Sequence, residues 1–266
     1  SISILNIVKD VSGDTREEKA VEKLRSSLEQ EFNQLPNASG QIILMTNVTF
    51  GGGSVGELDI VLLCDLKGVS FLLNDPEDNN KKEVVVQRLC YILEVKDHSY
   101  TGVDILNNGF NVKYDGVWHP VSSQSRKQRF EFKKYLTKYL GYSPFIYNFI
   151  WFREISGSEL DSIILRAKDG VAYDDNALPK SFSFKKLIQK TICVTPDSVS
   201  WNNERTTGWM NCCSGADMIK DIVSHFTQHR IIVGNLTQDR LNILAIKDAA
   251  KDVKNLDENK FTLFES

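Results

Sequence analysis

Three side chains in the first hundred residues have the types and spacing for metal-assisted chemistry on a phosphodiester: Asp59, Glu94 and Lys96. In a β-strand alternate side chains share a face, so Glu94 and Lys96 project together while Leu93 and Val95 point the other way. Asp59 lies in Leu58-Asp59-Ile60-Val61-Leu62-Leu63, a run fit for burial on both faces. A carboxylate there is costly unless it is paired or bound to a cation. Two such strands set side by side would gather all three groups into one polar cluster. Paired carboxylates suit a hard cation such as Mg²⁺ or Mn²⁺, with the backbone carbonyl of Val95 as a further oxygen ligand. Such an ion polarises a phosphodiester and acidifies an attacking water. Lys96 would orient that water or offset charge at phosphorus. Read alone, Glu94-Val95-Lys96 is an ordinary ion pair on a strand. Asp59 in a buried-looking strand is what lifts it above that reading.

The elements that must position these groups follow from the hydrophobic pattern. Residues 14–35 predict an amphipathic helix: Thr15 and Glu18 have capping-box spacing, and Val21, Leu24, Leu28 and Phe32 recur at helical intervals. Strands are predicted over Ile42 to Phe50, Glu57 to Cys64 and Gly68 to Leu73, and through Cys90 to Lys96. The polar tract 74–82 reads as an exposed loop, and 99–120 reads as irregular. A second helix spans about 122–140, with a stripe at Phe132, Tyr135, Leu136, Tyr139 and Leu140 and stop signals at Gly141 and Pro144. Phe145 to Phe152 is an apolar strand. This order predicts an α/β mixed central sheet flanked by helices over residues 1–155. Residues 156–266 form an extension, mixed or mostly helical, with helices expected at Phe184 to Ile192, Ala216 to Thr227 and Leu236 to Ala250.

In the order of its pieces the chain resembles the PD-(D/E)xK nuclease superfamily, and more closely its nuclease-related NERD domains. The resemblance rests on Glu18-Lys19-Ala20-Val21, Glu57-Leu58-Asp59-Ile60-Val61-Leu62, Gly68-Val69-Ser70-Phe71 and Leu93-Glu94-Val95-Lys96, followed by Trp118 and Pro120-Val121-Ser122-Ser123-Gln124. It covers roughly residues 14–155. It implies a restriction-endonuclease-like fold and a Mg²⁺- or Mn²⁺-dependent deoxyribonuclease, in DNA processing or defence against foreign DNA. Asp59, Glu94 and Val95 would be the metal ligands, with Lys96, Gln124 and a helix acid completing the site. Glu57 belongs to the signature but is not expected to be a ligand. The helix acid is Glu17 or Glu18; Glu18 fits the family's spacing to Val21. NERD domains often precede helicase modules, so a helicase or ATPase domain is an expected partner, with self-association a further one.

After Gln124 the second helix carries Arg126, Lys127, Arg129, Lys133, Lys134 and Lys138 against only Glu131. These cations suit phosphate contacts with DNA, and nothing beside them reads bases, which predicts little sequence specificity. The bulk charge is −3 and announces no nucleic-acid binder, so such binding must be local. The composition is that of an ordinary globular protein, with no apolar run long enough to span a bilayer, and a cytoplasmic location is expected. Five cysteines without regular spacing argue against a disulfide framework. Cys212-Cys213 and His225-x-x-x-His229 invite a zinc reading, but adjacent cysteines lack zinc-finger spacing. His98 reads as a loop histidine near the site. No phosphate loop is present, so ATP hydrolysis by this chain is not expected. The competing function is a nuclease-fold module that binds nucleic acid or a protein without cutting.

Overall fold

The computed structural model describes residues 1–9, 15–51, 56–107, 109–167, 171, 173–213, 215, 217–228 and 230–234, with residues 245 and 249. The chain begins with β1 (Ile2–Val8), α1 (Arg16–Phe32), β2 (Ser39–Thr49) and β3 (Glu57–Lys67). It continues through β4 (Ser70–Asn74), β5 (Lys81–Val86) and β6 (Arg88–Lys96). Next come β7 (Val103–Leu106), β8 (Gly109–Tyr114), β9 (Val117–Pro120), α2 (Val121–Leu140) and β10 (Ile146–Phe152). Then follow α3 (Gly157–Arg166), β11 (Ala177–Leu178), α4 (Phe184–Val194), β12 (Val199–Trp201), β13 (Thr207–Met210), α5 (Met218–Phe226) and β14 (Ile231–Val233).

Seven strands form a mixed sheet in the order β11-β10-β6-β3-β2-β1-β14. β2, β3 and β6 are antiparallel neighbours, and β10 returns parallel to β6 after α2. Helices cover both faces, so the chain is α/β with a mixed sheet flanked by helices. On one face Ala20, Val21, Leu24 and Leu28 of α1 and Phe184, Leu187 and Ile188 of α4 pack on Ile60, Leu62, Leu93 and Val95. On the other, Phe132 and Leu136 of α2 and Met218, Ile219 and Ile222 of α5 pack on Val61, Leu63 and Ile92. α1 starts where expected, with the Glu18 N–H donating to Thr15 Oγ1 at 3.2 Å. α2 stops at Gly141, whose φ of 75° is the left-handed conformation a helix C-cap requires.

Several elements differ from the sequence expectation. Residues 99–120 are not irregular: most of them fold into a small antiparallel sheet in the order β7-β8-β9. The residues that disguise it are its turns, Asn107 and the Asp115-Gly116 pair, all at positive φ. Two consecutive positive-φ residues are what a tight two-residue hairpin demands. The polar tract 74–82 is also more than a loop, because β5 begins at Lys81 and Asp75 is buried. Asp75 Oδ2 accepts from Lys82 Nζ at 2.5 Å and from Arg205 Nη2 at 3.0 Å, tying this turn to the C-terminal part. The Gly68 to Leu73 strand lies outside the central sheet, in a second sheet ordered β12-β13-β5-β4. Ile2–Val8, where no element was expected, is a strand parallel to β2.

The expected boundary at residue 155 falls between β10 and α3. Beyond it the chain adds β11 and β14 to opposite edges of the central sheet and two helices to its faces. The helices expected at 184–192 and 216–227 are α4 and α5. The one expected at 236–250, apart from residues 245 and 249, and His229 lie outside the described residues. No helix among the described residues is long and apolar enough to cross a membrane.

Candidate active site

β3 and β6 pair from Asp65–Arg88 to Ile60–Leu93, and there the register ends. Asp59 and Glu94 are the next residues on each strand. They follow the alternation of Val61, Leu63, Cys90 and Ile92, which face α2 and α5. On each strand the acidic residue therefore lies on the same side of the pleat as these apolar side chains. Where the ladder stops, the Val95 N–H donates instead to Asp59 Oδ2 at 2.7 Å. Lys96 Nζ donates to Glu94 Oε1 at 2.7 Å, and Gln124 Nε2 reaches the same oxygen at 3.4 Å from the first turn of α2. The structure thus brings together Asp59, Glu94, Val95, Lys96 and Gln124. The side chains of Asp59, Glu94 and Lys96 are only 14%, 5% and 9% exposed.

α1 contributes through a residue the sequence does not single out. Arg16 Nη2 lies 3.5 Å from Asp59 Oδ2 and 2.7 Å from Glu17 Oε1, so one guanidinium joins both carboxylates. Glu18 is buried on the same turn. Only the tertiary placement of the α1 N-terminus beside β3 reveals Arg16; its one sequence signal is a cation next to two helix acids.

The electrostatics of the cluster are those of a strained acidic site. Burial, and after it the neighbouring Glu94 carboxylate, push the Asp59 carboxyl up to about 7, while the Val95 N–H and Arg16 draw it down. Each carboxylate accepts its hydrogen bonds through one oxygen, Oδ2 of Asp59 and Oε1 of Glu94. Among the described residues no side-chain hydrogen bond is made to Asp59 Oδ1 or Glu94 Oε2. Two hard oxygen donors with spare lone pairs, in a place where negative charge is under-compensated, fit a Mg²⁺ or Mn²⁺ ion. His98 stands at the rim with its ring edge-on to Tyr114, centroids 4.5 Å apart. Burial, then Lys96 and Arg16, hold the acidity of its imidazolium above the ordinary value, so the ring stays neutral more readily.

Ser122, Ser125 and Gln128 of α2 are buried beneath Gln124. Ser122 Oγ accepts from the Phe110 N–H at 2.8 Å, Asn148 Nδ2 donates to Ser125 Oγ at 3.0 Å, and Gln128 Nε2 donates to the Glu57 carbonyl at 3.0 Å. Gly109 makes the first contact possible, since a Cβ there would lie 2.5 Å from Ser122 Cβ.

The basic residues of α2 do not form a single face. Lys127, Lys134 and Lys138 share one stripe with Gln124 and Glu131, and Lys134 pairs with Glu131 at 2.8 Å. Arg126, Arg129 and Lys133 lie about a third to a half of a turn away. Arg126 is 3.5 Å from Asp174, and the Arg129 guanidinium sits 4.8 Å from the centre of the Phe130 ring. In the region of the zinc reading, Cys212 is buried, all five thiols are free, and His225 Nε2 is 2.9 Å from the Tyr135 hydroxyl.

No known protein-family model matches the chain, and no curated protein or solved structure matches it.

Proposed function

We propose that the chain is a Mg²⁺- or Mn²⁺-dependent nuclease that hydrolyses DNA phosphodiester bonds with little sequence specificity. The observation that carries this reading is the convergence of Asp59, Glu94, Lys96 and Gln124 at the point where β3 and β6 separate. The helix, three-strand meander, helix and parallel strand around them accord with the restriction-endonuclease-like architecture that the NERD resemblance implies. Asp59, Glu94 and the Val95 carbonyl would hold the cation. When bound, the ion supplies charge neutralisation at the phosphate and a more acidic water.

The protein's own groups do the rest. Lys96, fixed on Glu94, presents a buried positive charge beside the phosphate, where low dielectric makes it count. Gln124 holds the Glu94 carboxylate and keeps an amide at the attacking water's side. Arg16, between Asp59 and Glu17, offers a second cation for the phosphate oxygens. The oxygen of water bonds to phosphorus as that water gives up a proton to solvent, the bond from phosphorus to the leaving oxygen breaks, and the leaving oxygen takes a proton from solvent. Lys127 and Lys134 face solvent on Gln124's side of α2, where they can meet neighbouring phosphates without reading bases.

The test is cleavage of plasmid and single-stranded DNA with Mg²⁺, Mn²⁺ or EDTA by wild type, Asp59→Ala and Lys96→Ala. The expected result is metal-dependent cutting that falls by about 10²–10³ or more in each variant. Equal cutting by all three proteins overturns the reading. Absence of cutting in wild type, with DNA still bound in EDTA, identifies the binding module instead.

A further inference from the structure

The stripe of α2 that starts at the site leads to an exposed aromatic ring. Gln124, Lys127, Glu131, Lys134 and Lys138 recur at intervals of three and four residues, so they form one row along the helix. The row finishes at Lys138, about 21 Å from Gln124, and Tyr139 stands beside that end, about 100° further round the helix. Tyr139 is 57% exposed. Lys138 Nζ lies 5.0 Å from its centre. Behind it stands Tyr135, its ring 4.5 Å away and its hydroxyl held by His225. Phe50 packs edge-on against Tyr135 at 5.5 Å. Tyr135, Tyr139, Lys134, Lys138 and Phe50 border a groove of about 210 Å³.

We infer that this row is a track for single-stranded nucleic acid, with Lys127, Lys134 and Lys138 following the phosphates and Tyr139 stacking an unpaired base. The inference rests on the nuclease reading only for the chemistry at the near end; the track is a binding surface in its own right. The chemistry of the row selects the occupant. Three lysines against one glutamate favour a polyanion. A polyanionic duplex gains nothing from an exposed aromatic face, because its bases are already stacked. An unpaired base has a free face, and stacking it on an aromatic ring is tolerant of sequence. Tyr135 braces the platform and Lys138 sets a cation beside it, the pairing of aromatic and charge that a flexible strand needs.

The experiment is fluorescence anisotropy of a labelled oligo-dT and of a random-sequence duplex of equal length, in EDTA so that no metal-dependent cleavage occurs. Wild type, Tyr139→Ala and Tyr139→Trp are compared, with circular dichroism to show that each is folded. Tyr139→Ala should weaken oligo-dT binding by about 5- to 150-fold, the worth of one stacked base. Tyr139→Trp should stay within about 3-fold of wild type, and duplex binding should change little in either variant. Unchanged oligo-dT binding in Tyr139→Ala overturns the inference, as does an equal loss on duplex or a failure of Trp to preserve binding. Cleavage by wild type with Mg²⁺ is scored separately. A protein that stacks oligo-dT but never cuts keeps the track and loses the nuclease reading, and one that cuts without using Tyr139 does the reverse.

Discussion

Asp59→Asn should make the metal-free protein more stable. Asp59 is held inside the fold by the Val95 N–H and Arg16, yet its ionised form is opposed by burial and by Glu94, which together push it up to about 7. In the unfolded chain an aspartate titrates near 3.9. Between these two values the native state binds more protons than the unfolded state, so stability falls as pH rises through that window. A gap of about 3 pKa units corresponds to roughly 4 kcal/mol above pH 7. An amide carries no charge to desolvate and can still accept the Val95 N–H through its oxygen. It forfeits the attraction of Arg16, so the net gain should be about 1–3 kcal/mol at pH 8, by comparison with ordinary charge–group contributions. The assay is urea unfolding in EDTA at pH 8 and again at pH 4.5. The advantage of Asn should be clear at pH 8 and shrink towards pH 4.5, where the native Asp59 is already protonated. Mg²⁺ should stabilise wild type in proportion to its binding, and should not stabilise Asp59→Asn. If Asp59→Asn is instead less stable than wild type in EDTA at pH 8, the carboxylate is a structural asset and the strained-site argument fails.

Two other predictions concern the frame around the site. In the buried turn, burial alone would raise the Asp75 carboxyl, but Lys82, the Glu77 N–H and Arg205 bring it down to about 2. Its contribution to stability is therefore present above about pH 4, the unfolded value, and is lost as pH falls towards 2; Asp75→Asn should flatten acid unfolding in that window, and an unchanged acid limb would refute the pairing. At Gly109, an added Cβ would meet Ser122 Cβ at 2.5 Å and Oγ at 2.6 Å. Gly109→Ala should cost about 1–3 kcal/mol in urea unfolding and lower cleavage by moving Gln124, whereas a variant with wild-type stability would show that α2 can shift freely.

Much of the cluster can be read from the sequence because one rule, the two-residue period of a strand, governs both where the core lies and where the polar groups gather. Asp59 stands out because its neighbours on both sides are apolar, and Glu94 and Lys96 because Leu93 and Val95 alternate with them. Gln124 is legible through the helix start that Pro120 marks. Arg16 is not, because its role depends on where the N-terminus of α1 meets β3, and no local pattern encodes that distance. The end of the β3–β6 ladder is equally hidden, since Leu58 and Val95 have the same strand-forming chemistry as the residues that do pair. The β7–β8–β9 sheet is concealed for the opposite reason: its strands are short and its turn residues are close together, so turn chemistry outweighs alternation in any local window. The split among the basic residues of α2 follows from helical period alone; a count of charges hides it.

The hydrogen bonds that hold α2 explain why the site can be both strained and well defined. A helix packed only through Phe132 and Leu136 could slide by a fraction of a turn at small cost, because apolar contacts are not directional. The buried row Ser122, Ser125 and Gln128 removes that freedom. Each has its own partner, on β8, β10 and β3 respectively, and any slip leaves a buried donor or acceptor unpaired. At the other end α5 fixes the helix through Met218, Ile219 and Ile222 in the shared core and through His225 on the Tyr135 hydroxyl. Gln124 sits beside this locked row, so its amide is delivered to Glu94 by contacts made elsewhere. Residues 218–226 therefore belong to the positioning of the site although they lie far from it in sequence, and the polar residues buried under α2 hold the register that the apolar core leaves open.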